Sequence, residues 1–126
     1  MTNVSQGPSK AIVPRRVLIV EDEILIAMVL EDVLEMLGHT VVGSPSTYAE
    51  AESAIAAGGF DLAILDVNLG NDPVFPLADK LRCAGTAIIF ATGSHPDSLP
   101  VQFAGVPVLE KPYAVQAVET ALGELA

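Results

Sequence analysis

The sequence is short of basic residues. Six Lys and Arg stand against sixteen Asp and Glu, a formal net charge of −10 at pH 7. Phosphates would be repelled by such a surface, which argues against direct binding to DNA, RNA or an anionic membrane and favours protein partners or cations. Cysteine is scarcer still. Cys83 alone cannot close an internal disulfide, and a cytoplasmic setting is the expectation. No apolar run reaches the roughly 20 residues that cross a bilayer. The opening MTNVSQGPSKAIVPRR has no hydrophobic stretch ahead of a cleavage site, so it does not read as a secretory signal. Neither an internal repeat nor a low-complexity segment is present. His39 and His95 lack a cysteine or second histidine nearby, which leaves no zinc pattern. Both are expected in solvent, as are Arg15 and Arg16, and Cys83 is expected to pack near a helix end.

What is present is apolar and regularly spaced. Of 126 residues, 51% are hydrophobic, enough for one domain with a sizeable core. Residues 1–14, with Gly7, Pro8 and Pro14, read as a flexible tail, and 15–126 as the domain. VLIV, 17–20, is a continuous apolar run of the kind a strand covered on both faces shows. From Glu23 to Leu37 the period is helical, with Ile26, Leu30, Val33 and Leu37 on one face and Glu31, Asp32 and Glu35 opposite. Gly38 ends it. TVVG, 40–43, is a second strand, and Thr47 with Glu50 forms a capping box for a helix through Ala57, closed by Gly58. LAILD, 62–66, is the third strand. Asp72-Pro73 reads as an N-cap and first-turn proline for a helix carrying Leu77, Ala78 and Leu81 and ended by Gly85. AIIFAT, 87–92, and VPVLE, 106–110, complete five strands. Between them, Pro96 and Pro100 leave Gly93 to Gly105 short of a regular helix. Val115, Val118, Leu122 and Leu125 mark the apolar face of the last helix. Strands alternating with helices predict an α/β fold: a doubly wound, five-stranded parallel sheet with helices on both faces.

Right-handed crossovers bring the carboxyl ends of all five strands to one edge, where ligands of such sheets bind. Glu21 and Asp22 follow the first strand, Asp66 ends the third with Asn68 two residues on, Thr92 ends the fourth, and Lys111-Pro112 follow the fifth. Each has a plain alternative when taken singly. Glu21 and Asp22 could cap a helix, Asp66 could be a turn residue, and Lys111 could be a surface lysine. Together they are more informative. Two carboxylates about 4 Å apart repel by roughly 4 kcal/mol at an effective dielectric of 20, so a cluster must shift its protonation or share a cation. An all-oxygen donor set favours Mg²⁺ (or Mn²⁺), which completes its shell from water and phosphate. Lys111 and Thr92 suit phosphoryl oxygens, and Asp66 is the natural nucleophile.

Glu21-Asp22, Asp66, Thr92 and Lys111-Pro112, in that order on those strands, resemble the signatures of a response-regulator receiver domain of two-component signalling. The resemblance covers roughly residues 15–126. It implies the flavodoxin-like strand order 2-1-3-4-5 and a phosphoryl group accepted on Asp66 from a sensor histidine kinase. By the same resemblance, Glu21, Asp22, Asp66 and the backbone carbonyl of Asn68 would hold Mg²⁺, while Thr92 and Lys111 would bind the phosphoryl oxygens. Phe90-Ala91-Thr92-Gly93 is similar to the Phe-Ala-Thr-Gly (FAT GUY) receivers, single-domain proteins often paired with kinases of the HWE type. Ser94 departs from the hydrophobic or aromatic residue usual there. Val108 stands where most receivers carry an aromatic switch residue, an absence that the Phe-Ala-Thr-Gly group shares. Tyr113, in the same region, is expected to pack.

The chain ends just after the last helix, so no output domain is expected. Signal would leave through protein contact, through a histidine phosphotransfer protein or other downstream partner, or the protein would act as a phosphate sink or a pseudo-receiver working by contact. Ile24 and Met28 project toward the charged side of the first helix, either as core fringe or as a docking patch for the kinase. A haloacid-dehalogenase-like phosphohydrolase is disfavoured because Asn68 stands where that class needs a second carboxylate. A flavodoxin-like cofactor binder is disfavoured because the first strand leads into Glu21-Asp22-Glu23 and not into a glycine- or hydroxyl-rich phosphate loop.

Overall fold

The computed structural model describes residues 13–93, 99–111 and 113–125, so expectations for residues 1–12, Ser94, His95, Pro96 and Pro112 lie outside the described residues. The elements are β1 Arg16–Val20, α1 Ile24–Met36, β2 Thr40–Gly43, α2 Tyr48–Ala57, β3 Leu62–Asp66, β4 Asn68–Leu69, β5 Asp72–Pro73, α3 Phe75–Cys83, β6 Ala87–Thr92, β7 Val108–Glu110 and α4 Val115–Gly123, with a 3-10 turn at Val101–Phe103. The main sheet is parallel, in the order β2-β1-β3-β6-β7. With the short hairpin strands β4 and β5 set aside, this is the expected 2-1-3-4-5 order.

The side-chain alternation of the strands explains the two covered faces. Val17, Ile19, Leu62, Ile64, Ile89, Ala91 and Leu109 point one way, into a core closed by Ala27, Leu30, Val33 and Leu34 of α1 and Val118 and Ala121 of α4. Leu18, Val20, Ala63, Leu65, Ile88 and Phe90 point the other way, against Ala51 of α2 and Leu77, Ala78 and Leu81 of α3. Burying each of the Val, Leu, Ile and Phe side chains among these contributes roughly 1.5–3 kcal/mol, which makes the central strands the most strongly held part of the chain.

Helix ends follow local chemistry. α1 stops in a Schellman motif: the His39 amide donates to Leu34 O and the Gly38 amide to Glu35 O, with Gly38 at φ +96°. Thr47 Oγ1 accepts the Glu50 amide at the start of α2, and Glu50 Oε1 returns to the Ser46 amide, one residue earlier than the usual box.

Several expectations are corrected. Asp72-Pro73 does not start α3. The pair forms β5, which pairs antiparallel with β4 across Gly70-Asn71. α3 begins after Val74, and Pro76 takes the early helical position. Val106 and Pro107 lie outside β7, because Pro107 has no N–H for the ladder and contributes its carbonyl to the Phe90 amide instead. Val115 is 38% exposed and not buried, and Ala121 shares the buried face of α4 with Val118. Cys83 is exposed, not packed. His39 is buried, because the turn after α1 folds it over β1, where its Nδ1 accepts the Arg15 amide at 3.1 Å. Arg16 is exposed, yet its Nε donates to Gly59 O at 2.8 Å.

Candidate functional site

The strand ends converge as the spacing requires. Asp66 is the last residue of β3 and Thr92 the last of β6, while Glu21 and Lys111 directly follow β1 and β7. Glu21, Asp66 and Thr92 are buried and Asp22 is exposed. Lys111 Nζ bridges the two buried carboxylates, 2.9 Å from Glu21 Oε1 and 3.0 Å from Asp66 Oδ2. Its hydrogen bond to Glu21 goes to the other oxygen, Oε2, at 3.2 Å. Glu21 Oε1 is thus an ion-pair neighbour of the ammonium but receives no hydrogen bond, and it is shielded from solvent. The backbone fixes the lysine as well: the Lys111 amide donates to Thr92 O at 3.0 Å, tying β7 to the end of β6.

The electrostatics follow from this arrangement. Burial, opposed by Lys111 and reinforced by the Asp66 charge, pushes the Glu21 carboxyl up to about 7. Lys111 is raised: burial disfavours its charge, but hydrogen bonds to Glu21 and Asp66 outweigh that cost. Asp22 is lowered: desolvation is the largest single influence and raises it, but hydrogen bonds from the Gly70 amide and with Glu21 and Asp66 together outweigh it. Burial and then the Glu21 carboxylate hold the Tyr113 hydroxyl well above its ordinary range.

One hydrogen bond ties the acidic pair to the approach to α1. Glu21 Oε2 accepts the Glu23 amide at 3.1 Å, at the entrance to α1. Asp22 does not cap the helix; its Oδ2 accepts the Gly70 amide at 3.0 Å, from the β4–β5 hairpin. The Asn68 amide donates to Asp66 Oδ1 at 3.2 Å. Oxygen atoms of Glu21, Asp22 and Asp66 lie within 4.8 Å of one another. One ammonium against three carboxylates leaves the pocket anionic. An all-oxygen cluster that stays anionic with Lys111 counted fits a hard divalent cation such as Mg²⁺.

The comparison with known proteins supplies the family. The profile of the response regulator receiver domain matches residues 17–122. The chain belongs to that family. It is similar to the solution structure of SdrG from Sphingomonas melonis, with 46% identity and a TM-score of 0.80 over 89% of this chain and 96% of that one. It also resembles the PhyR stress response regulator, with 28% identity and a TM-score of 0.76 over 90% of this chain and 45% of that one. Among curated proteins, the transcriptional regulatory protein PdtaR of Mycobacterium tuberculosis is 39% identical over 85 residues, which cover 64% of this chain and 41% of PdtaR. The chain therefore spans about two fifths of that relative's length. As a receiver domain of two-component signalling it is a regulator and not a conventional enzyme.

Val108 and Tyr113, the residues expected in a switch region, have different surroundings. Val108 pairs with Phe90 and, with Leu99, Val101 and Phe103, lines a hollow of about 290 Å³. Aromatic bulk comes from elsewhere: Phe75, Phe90 and Phe103 form a three-ring cluster with centroids 5.2–5.8 Å apart. Tyr113 packs against the core that α1 and α4 close, and it also lines a groove of about 450 Å³ with Glu23, Leu25, Ile26, Val29 and Lys111. Ile24 and Met28 are 66% and 53% exposed. Leu25 and Val29, which the helical pattern did not single out, are 76% and 49% exposed. The run ILIAMVL is apolar all round, a signal that one covered face cannot absorb it. Gly70 was equally silent, since a glycine in a loop gives no hint that its amide meets a carboxylate 48 residues away.

Proposed function

We propose that this domain accepts a phosphoryl group on Asp66 from a sensor histidine kinase and signals through contact with downstream proteins or through a histidine phosphotransfer partner. The observation that carries the reading is the Lys111 ammonium held between Glu21 and Asp66 at the mouth of an anionic, all-oxygen pocket. A carboxylate oxygen of Asp66 attacks phosphorus, the P–N bond to the donor imidazole breaks as the P–O bond forms, and the leaving imidazole takes up a proton. Glu21, Asp22, Asp66 and the Asn68 carbonyl would hold the ion. Bound Mg²⁺ or Mn²⁺ supplies charge neutralisation for the incoming phosphate. Lys111 and Thr92 bind phosphoryl oxygens, Lys111 exchanging a carboxylate for the transferred group, so catalysis is positioning and charge neutralisation. An SdrG structure 47% identical to this chain was solved in a BeF3-activated conformation, which supports an activatable pocket here.

The exposed α1 residues Ile24, Leu25, Met28 and Val29 lie beside this pocket and are the docking surface for the kinase, of the HWE type. No helix among the described residues is long and apolar enough to cross a membrane, in keeping with a cytoplasmic regulator.

The test is intact mass after incubation with acetyl phosphate, with and without Mg²⁺, beside Asp66→Asn. One added phosphoryl group that requires both Mg²⁺ and Asp66 is the expected result. Free phosphate release is measured in parallel, so that a short-lived adduct is still counted. Neither adduct nor release, with Mg²⁺ bound, would replace phosphoacceptance from small donors with kinase-only transfer or regulation by contact alone.

A further inference from the structure

The β4–β5 hairpin is fastened to the acidic pocket at two points. Its first residue, Asn68, gives an amide hydrogen bond to Asp66 Oδ1, and Gly70, at the turn, gives one to Asp22 Oδ2 at 3.0 Å. The hairpin is not a loose loop. Val67, Leu69 and Val74 sink its base into the core, at 7%, 2% and 0% exposure, and the Val74 amide closes that base on Val67 O at 3.1 Å. The turn amide is therefore held in place by packing. Asp22, by contrast, is exposed, and an exposed carboxylate otherwise samples several rotamers.

We propose that the Gly70 backbone amide is a positioning group for Asp22: by holding Oδ2 it fixes the carboxylate in the orientation that keeps an oxygen within 4.8 Å of those of Glu21 and Asp66, and so sets the cation affinity of the pocket. The inference rests on the reading of this pocket as a Mg²⁺ site. Donors that orient a ligand are worth roughly 10–100-fold in metal affinity. Gly70 is suited to the task by its backbone. It sits at φ +64°, a left-handed conformation that glycine adopts freely, asparagine tolerates and β-branched residues resist. A Cβ at this position would meet nothing within 4 Å, so a side chain acts there through the backbone and not through a clash.

That separation gives the test. Binding of MgCl2 alone, with no phosphodonor, is measured by titration calorimetry for the wild type, Gly70→Val and Gly70→Asn. Gly70→Val, which disfavours the left-handed turn and displaces the amide, is expected to bind roughly tenfold more weakly. Gly70→Asn keeps the turn and the amide and is expected to stay within about twofold of the wild type. Thermal melts without Mg²⁺ check that each variant folds, and Gly70→Ala replaces Gly70→Val if the latter does not. Equal affinity in all three proteins overturns the proposal. Equal loss in both variants also overturns it, since the amide would then not be what matters. Absence of Mg²⁺ binding by the wild type is a different result: it removes the cation-site reading itself and this inference with it.

Discussion

Protonating His39 removes the acceptor that holds the Arg15 amide at the entrance to β1. Burial, then the nearby Arg15 charge, lowers this imidazole below its ordinary 6.5, with Asp61 pulling the other way. The sign follows from linkage. The unfolded chain takes up the proton first as pH falls, so stability present above about 6.5 is lost as pH drops toward the folded value and levels off below it. Glu21, raised to about 7, works in the opposite direction over an overlapping range, because its proton is held more tightly in the folded state. The measurement is therefore a difference. Urea unfolding of the wild type and of His39→Asn, whose Oδ1 can accept the same amide without titrating, is followed from pH 8 to 5. The wild type is expected to lose stability relative to the variant below about pH 6.5; parallel curves would show that His39 does not couple to folding.

At the scale of the element, α1 serves two surfaces. Its inner face, Ala27, Leu30, Val33 and Leu34, is core, and Leu30→Ala is expected to cost about 2–5 kcal/mol in a denaturant melt. Its outer, amino-terminal half is apolar without being covered, beside a groove that reaches Lys111. Met28→Lys there is expected to slow phosphotransfer from the kinase roughly tenfold, the effect of losing about 1.4 kcal/mol of docking energy. Phosphorylation by acetyl phosphate, which needs no docking, should stay within about twofold; equal loss from both donors would place Met28 in the fold and not in the interface. The inner face was legible because Leu30 and Val33 stand at helical spacing opposite Glu31, Asp32 and Glu35. The sheet was legible because VLIV, LAILD and AIIFAT are runs that only a doubly covered strand needs, and their ends delivered Glu21, Asp66 and Thr92 together. The hairpin was not. Two-residue strands have no period to detect, and Asp72-Pro73 carries the same local chemistry as a helix start. Nor does the burial of His39 show locally, since it depends on the Arg15 amide 24 residues away.

For the whole molecule, the acidic pocket is a product of folding. Residues 21, 22 and 66 are brought within 4.8 Å only by the order of β1 and β3, so the unfolded chain offers a cation no comparable site. A ligand that binds only the folded state stabilises it by mass action, about 2.7 kcal/mol when present at 100 times its Kd. At the usual scaling for a domain of this size, each kcal/mol raises Tm by roughly 3–5 °C, so saturating Mg²⁺ is expected to raise it by about 10 °C. The overall charge of −10 is a competing explanation, because any salt screens self-repulsion. Two comparisons separate the effects. NaCl at matched ionic strength should give only a small part of the shift. Asp22→Asn should keep that part and lose the rest, because Asp22 is exposed and its removal leaves the buried Glu21–Lys111–Asp66 contacts in place. A Mg²⁺ shift equal in wild type and Asp22→Asn would mean that divalent cations act on the surface field of the protein, and the cluster would then be a charged rim and not a metal site.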